Sequence, residues 1–294
     1  MDIVFKYGIL ISAFVTIFAT CKKGNPSSDS NNNSIEEQIT NRFLNEIAPM
    51  VTLPCFQGAY YRKAVSSTDS WLGIEGTTIL PILTYDLDRF NPLKPGTYLD
   101  NASIYLGGNS DGQETDIGLL WEVIKDANGN VSAERKAFRP FLRRTSHKSG
   151  QLALYKNAPA ESKYYWYPGD TITMGIILTE DTKLKFTVSG SGKNYEEIFD
   201  AAGYQYSQKA QYKRVNAIDQ VSNEGKPVQT TKAIVSGAKW LKVWLYRYYK
   251  SDALKVPMHP KRFTDMRCPE VKHFEIITSA ENTSAESVNI YGTK

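Results

Sequence analysis

The sequence predicts an all-β protein, a two-sheet antiparallel sandwich preceded by one short helix. Three observations predict it. About ten short apolar or aromatic runs are bounded by Gly, Pro, Asn or Asp, the pattern of strands and their turns. Almost no long amphipathic helical stretch alternates with them, which excludes a βαβ architecture. No fixed-period repeat appears that would signal a solenoid or a propeller. The 18 Tyr, 12 Phe and 5 Trp residues fit the same class, because aromatic side chains pack well on a pleated surface.

The chain opens with an export signal in form. Lys6 precedes an uncharged apolar run over residues 7–19, roughly 20 Å of helix, short for a bilayer span and suited to a signal-peptide core. Phe18-Ala19-Thr20-Cys21 then resembles the bacterial lipobox, with Phe18 and Thr20 where Leu and Gly or Ala are more usual. The resemblance implies that residues 1–20 are a signal peptide, that Cys21 is lipidated and that the protein is anchored to the cell envelope on its periplasmic or surface side. Residues 22–34 (KKGNPSSDSNNNS) carry no large apolar side chain and cannot offset their own ordering entropy. Residues 21–34 therefore read as the lipidated Cys and a tether with an end-to-end reach of roughly 20 Å. Residues 35–294 have the length of one large sandwich domain, with no second low-complexity break.

Within that domain the first element reads as the short helix. Ser34 and Glu37 form a capping box, Ile35, Ile39, Phe43, Leu44 and Ile47 form an apolar stripe, and Pro49 ends it. Strands follow over 55–62, 77–86, 98–107 and 116–124, with Pro81 marking an edge or a bulge in the second. Asn128-Gly129 favours a tight hairpin, so the next segment folds back on 116–124. Residues 170–180 and 183–190 form the clearest hairpin, since Leu184, Phe186 and Val188 alternate with Lys183, Lys185 and Thr187 as in a half-buried antiparallel strand. Residues 195–202 read as one or two helical turns, and 271–278 and 287–292 close the chain as strands.

Residues 239–250 (KWLKVWLYRYYK) satisfy both a helical and a strand pattern, and the all-β surroundings favour the strand. A strand would send Leu241, Val243 and Leu245 inward and Trp240, Trp244, Tyr246 and Tyr248 outward. Such an outward aromatic row is a stacking platform for sugar rings unless another layer covers it.

The net charge of +4 is spread among mixed signs, which excludes a nucleic-acid footprint. Apart from Cys21, the cysteines are Cys55 and Cys268. In an exported protein this even pair permits a disulfide that ties the first strand region to the last; two free thiols are the alternative. His147, His259 and His273 lie far apart in sequence, so no zinc spacing is present. The run from Arg139 to Arg144 is basic enough to meet an acidic glycan or phosphate, though such residues more often form a solvated face.

The candidate chemistry is concentrated in residues 98–122, two alternating runs joined by a loop rich in Gly, Asn and Asp. As a strand, the second run presents Glu114, Asp116, Gly118, Leu120 and Glu122 on one face. Glu114-Thr115-Asp116-Ile117-Gly118 within a jelly-roll-like sandwich resembles the concanavalin A-like lectin and glucanase group, whose laminarinase-type members carry Glu-x-Asp-x-Glu on a central strand. The resemblance implies Asp116 and Glu114 as catalytic acids, but Gly118 stands where the third acid belongs. Retaining hydrolysis needs two carboxyl groups about 5–5.5 Å apart, and Asp116 lacks that partner. The loop also offers Asn109, Asp111, Glu114 and Asp116 as oxygen ligands for calcium without the EF-hand spacing, the one cofactor these residues suggest. The same residue types also build ordinary tight turns.

The expectation is a lipid-anchored envelope protein whose sandwich binds a glycan or another extracellular ligand without turning it over, using Trp240, Trp244, Tyr246 and Tyr248. The alternatives are a polysaccharide-degrading hydrolase or lyase working through Asp116, and a structural or protein-binding lipoprotein.

Overall fold

The computed structural model describes residues 41–90, 98–125, 131–249, 252–279 and 284–294. Strands are numbered in chain order. One sheet runs, in spatial order, β14 (Phe263–Cys268), β1 (Ala59–Ser66), β11 (Ala210–Gln220), β4 (Asp100–Ser110), β5 (Gln113–Lys125), β6 (Val131–Arg144) and β7 (Leu154–Asn157). The other runs β10 (Lys193–Asp200), β9 (Lys183–Gly190), β8 (Thr171–Glu180), β2 (Gly73–Ile79), β12 (Ile234–Tyr249), β16 (Glu286–Tyr291) and β15 (Phe274–Thr278), with β3 (Ile82–Thr84) and β13 (Asp252–Pro257) also paired to β12. Every paired strand is antiparallel. The all-β, two-sheet sandwich is therefore the fold.

Strand alternation supplies the core. Ile104, Leu106, Ile117, Leu119 and Phe138 from the seven-stranded sheet join one cluster with Ile74, Ile176, Phe186, Val188, Val243 and Leu245 from the nine-stranded sheet, and all are fully buried. Each such side chain contributes about 1.5–3 kcal/mol relative to exposure.

A second, polar layer ties the sheets together. Glu286 on β16 pairs with Arg62 of β1 at 3.1 Å and with Arg214 of β11 at 2.7 Å, all three side chains being almost inaccessible. The guanidinium of Arg214 lies over the rings of Trp240 and Phe263, and burial pushes its pKa down to about 10. Removing the anion from such a buried cluster is costly: Arg62 keeps Asp265 at 3.0 Å, but Arg214 loses the carboxylate it pairs with.

Several elements differ from the sequence reading, each for a physical reason. Residues 41–49 form a turn and a bridge from Ile47 to Thr68 rather than the second half of a helix; residues 34–40 lie outside the described residues. Buried Glu46 pairs with Arg262 at 2.8 Å, accepts from Ser67 Oγ and accepts from the Phe43 amide. Those bonds fix the turn, burying Phe43 and leaving Leu44 90% exposed. Pro81 divides the predicted strand at 77–86 into β2 and β3. Residues 195–200 belong to β10 and form no helix, because Tyr195 and Phe199 register against β9 and face the core.

The 239–250 segment is strand β12 up to Tyr249, with a register shift between Trp240 and Lys242. That bulge places Trp240 on the core side together with Val243 and Leu245, because an extra residue reverses the alternation on one side of it. Cys55 and Cys268 form a disulfide with Cα atoms 5.7 Å apart. It ties the segment entering β1 to edge strand β14.

Candidate functional site

The outward face of the seven-stranded sheet carries a cleft of about 710 Å³. Register determines its floor. One row crosses the sheet as Val65, Lys213, Gly107, Asp116, Arg143 and Tyr155; the next reads Lys63, Val215, Tyr105, Gly118, Phe141 and Asn157; a third holds Tyr61, Ala217, Ser103 and Leu120.

Asp116 is the centre of the first row. Its carboxylate meets Lys213 Nζ at 2.8 Å and Arg143 Nη1 at 3.0 Å. Lys213 starts two strands away, roughly 10 Å across the sheet, so its stem must lie flat over the strand between. Gly107 makes that possible: a Cβ there would sit 3.0 Å from Lys213 Cε. Lys213 also reaches Glu114 at 3.4 Å. Burial opposes ionisation of Asp116, yet Lys213 and Arg143 outweigh it and hold its pKa below the usual carboxylate value. At neutral pH Asp116 is a doubly paired anion, neither a proton donor nor a free nucleophile.

Gly118 has an equally specific role. Tyr105 and Phe141 meet across it, edge to face, at 5.8 Å. A Cβ at Gly118 would lie 2.5 Å from both Cα and Cβ of Tyr105. The position that a third acid would occupy is thus filled by a neighbour's ring. Burial raises the pKa of Tyr105 well above that of free tyrosine and raises that of Tyr61 as well, so neither is suited to act as a base near neutrality.

The far end of the cleft holds Asp219, whose pKa burial pushes up to about 6. It pairs in register with Asn101, three same-face steps from the Asp116 row, roughly 20 Å along the strands. Its carboxyl bonds Ser103, one row nearer, and the charge of Asp116 adds to the upward shift, so the two acids sense one another across the cleft.

The walls come from the loop before β1 and from edge strand β7. Phe56 is 56% exposed and Tyr155 58%. The Cys55–Cys268 bond holds the loop of Phe56 against β14, and the Phe56 amide donates to Tyr61 Oη at 2.7 Å. Gly58, at φ +103°, lets this loop pack on the 221–226 turn, where a Cβ would come within 2.2 Å of the Asn223 carbonyl oxygen.

The proposed calcium ligands do not assemble. β4 and β5 continue to a two-residue Asp111-Gly112 turn with both φ positive, a tight hairpin rather than an open loop. Asn109 and Glu114 pair across the strands, Asp116 is held by its two cations, and Asp111 bonds His147 and Lys148 at the hairpin tip. Among the described residues no cluster of His, Cys, Asp and Glu could hold a metal ion. Ser149 lies 2.8 Å from His147 Nδ1, so a Ser–His–Asp arrangement exists there, but Ser149 sits on the same turn as the histidine and none of the three lines the cleft.

The predicted aromatic row is only partly formed. Trp240 is buried and its Nε1 donates to Asn216 at 2.7 Å, so it leaves the row. Trp244 is half-buried on the nine-stranded sheet, Tyr246 is capped by the Lys255 ammonium, and Tyr248, half exposed, leans on Tyr206. None of these lines the cleft. Cys21 lies outside the described residues.

Lys63, Lys213, Tyr61 and Tyr105 carry no site role in the sequence reading, which gives Asp219 no role beyond internal hydrogen bonding. Alternation within 59–65 and 211–219 carries the signal, since the odd-numbered residues of both stretches share the cleft face.

No family model and no curated protein matches this sequence. Among solved structures, scytalido-glutamic peptidase with a transition-state analog inhibitor is similar at a TM-score of 0.49 and 10% identity, covering 81% of this chain and 100% of that one. The alginate lyase from Klebsiella pneumoniae gives 0.40 and 13%, with 62% and 61% covered. A glycoside hydrolase family 16 enzyme of a Bacteroides ovatus mixed-linkage glucan locus gives 0.32 and 11%, with 66% and 81% covered. These proteins perform three different chemistries, and likeness at this level says nothing of the chemistry of this chain.

The Gly118 geometry gives a direct expectation. Gly118→Glu, which completes the acid pattern in sequence, will lower the unfolding free energy by about 1–3 kcal/mol, the cost of overpacking, and will create no glucanase activity. Urea denaturation and a reducing-sugar assay check it, and a stable, active variant would contradict the packing described.

Proposed function

We propose that the protein is a glycan-binding module of the bacterial cell envelope, exported and held by lipid on Cys21, that takes carbohydrate in the cleft of its seven-stranded sheet without cleaving it. The observation that carries the binding reading is the cleft's composition. Exposed aromatic faces at Phe56 and Tyr155 flank a largely apolar floor with a few charged groups, whose central carboxylate is neutralised by Lys213 and Arg143. Aromatic walls with a few placed polar groups are what a ligand cleft needs, and a carboxylate locked between two cations is poorly disposed to chemistry. The cleft replaces the β12 aromatic row as the binding surface.

Calorimetric titration with a panel of envelope and plant oligosaccharides tests this. Phe56→Ala and Tyr155→Ala will each weaken binding by about 3- to 10-fold, the range of a lost aromatic contact, whereas Tyr248→Ala will leave it unchanged. Loss of binding in Tyr248→Ala alone would move the site to the other sheet. The anchor is tested separately: Cys21→Ser will shift the protein from the detergent-soluble membrane fraction to the soluble fraction, and unchanged fractionation would remove the lipid from the account.

One observation favours a second reading. An acid with a pKa of about 6 in a cleft, as at Asp219, is poised for proton donation. A polysaccharide-degrading activity based on it requires the protonated carboxyl, so the rate would fall as pH rises through about 6 and would vanish in Asp219→Asn. Absence of product from the wild-type protein across the same panel decides for binding alone.

A further inference from the structure

Around Asp116 the cleft lining holds three cations (Lys63, Arg143 and Lys213) and two carboxylates (Glu114 and Asp116), and Asp219, Glu224 and Lys226 also stand on it. Lys213 and Arg143 are engaged with Asp116. Lys63 is not: no carboxylate among the described residues pairs with it, and its ammonium lies 5.6 Å above the ring of Tyr61. Its strand neighbours on this face are Val215 and Met266, members of a small apolar cluster with Tyr61. A half-buried ammonium on an apolar floor, beside a second lysine, is unfavourable without a counter-charge. Burial and then Lys213 lower its pKa, against a smaller opposing pull from Glu114 and Asp116, the net direction expected of a cation with no anion paired to it. Arg143, with its side chain 47% exposed, bonds Asp116 through Nη1 and also lines the cleft.

We infer that Lys63 is an anion-binding residue and that the glycan taken by this cleft is acidic, its carboxylate or sulfate ester group seated on Lys63. The inference rests on the cleft being the glycan site. A carboxylate accepts from an ammonium with a charge-assisted hydrogen bond, and Tyr61, Tyr105 and the wall aromatics supply apolar contact for the sugar ring.

The test is calorimetric titration of the full chain with three probes: oligogalacturonate for the carboxylate, carrageenan oligosaccharide for the sulfate ester, and a neutral laminarin oligosaccharide. At least one acidic probe will bind about tenfold or more tighter than the neutral one, and Lys63→Met will remove that advantage, the low end for losing a hydrogen bond to a charged group. Lys63→Arg will keep most of it, and raised salt will weaken the acidic probe selectively. A second measurement uses the wild-type chain alone: the favoured probe will protect Lys63 from amine acetylation, read by mass spectrometry. Equal binding of neutral and acidic probes, or an unprotected Lys63, overturns the inference while leaving glycan binding in place. No binding of any probe overturns both.

Discussion

The row Lys213, Gly107, Asp116, Arg143 is the constraint on which the outer face of the seven-stranded sheet depends. Antiparallel register puts these residues side by side on β11, β4, β5 and β6. The absence of a side chain at Gly107 lets Lys213 span a whole strand to reach the carboxylate. Once that bond exists, the charge of Asp116 is satisfied, Glu114 is drawn to the same lysine, and the adjoining row is free to carry Tyr105 and Phe141 across Gly118. Two glycines thus specify the cleft floor: one makes room for a cation, the other for an aromatic pair.

The interior repeats the theme. Arg62 and Arg214 point away from the cleft, through the sheet, to Glu286 on the opposite sheet, so β1 and β11 carry a polar layer inside and the cleft outside. Every second residue of β11 serves one or the other: Val215, Ala217 and Asp219 face the ligand side, and Arg214, Asn216 and Ile218 face the interior. The buried ion cluster holds two strands of the floor in register with the second sheet, while the disulfide and Gly58 fix the loops that wall it. The site is thus supported from behind by charge and at its rim by covalent and backbone contacts, as a preorganised binding surface should be.

How much of this was legible in the sequence follows from the same alternation. Where apolar side chains face the core, as in β8 and β9, the strand bounds read off the sequence coincide with those of the structure to within a residue. β11 was not legible because its interior carries Arg214 and Asn216 while Val215 and Ala217 face outward, the reverse of the usual pattern, and their partners, Glu286 and Trp240, lie far along the chain. The bulge at Leu241 turned Trp240 from a platform residue into core, and no local signal marks it. In residues 41–49 an amphipathic stripe suggested helix, but the demand of Glu46 for Arg262 overrode it. Asp116 was recognised as the central acid of its strand; its two cations, from distant strands, were not paired with it, and they turn a candidate catalyst into a structural anion.

The proposed function depends on ligand being taken on the seven-stranded sheet, between Phe56 and Tyr155. A crystal structure of the protein soaked with the oligosaccharide that binds most tightly tests it most directly. The account predicts sugar density over Tyr61, Tyr105 and Phe141 with Asp116 still bonded to Lys213 and Arg143. Density over Trp244 and Tyr248 on the opposite sheet, or Asp116 released from its cations toward the sugar, would contradict it.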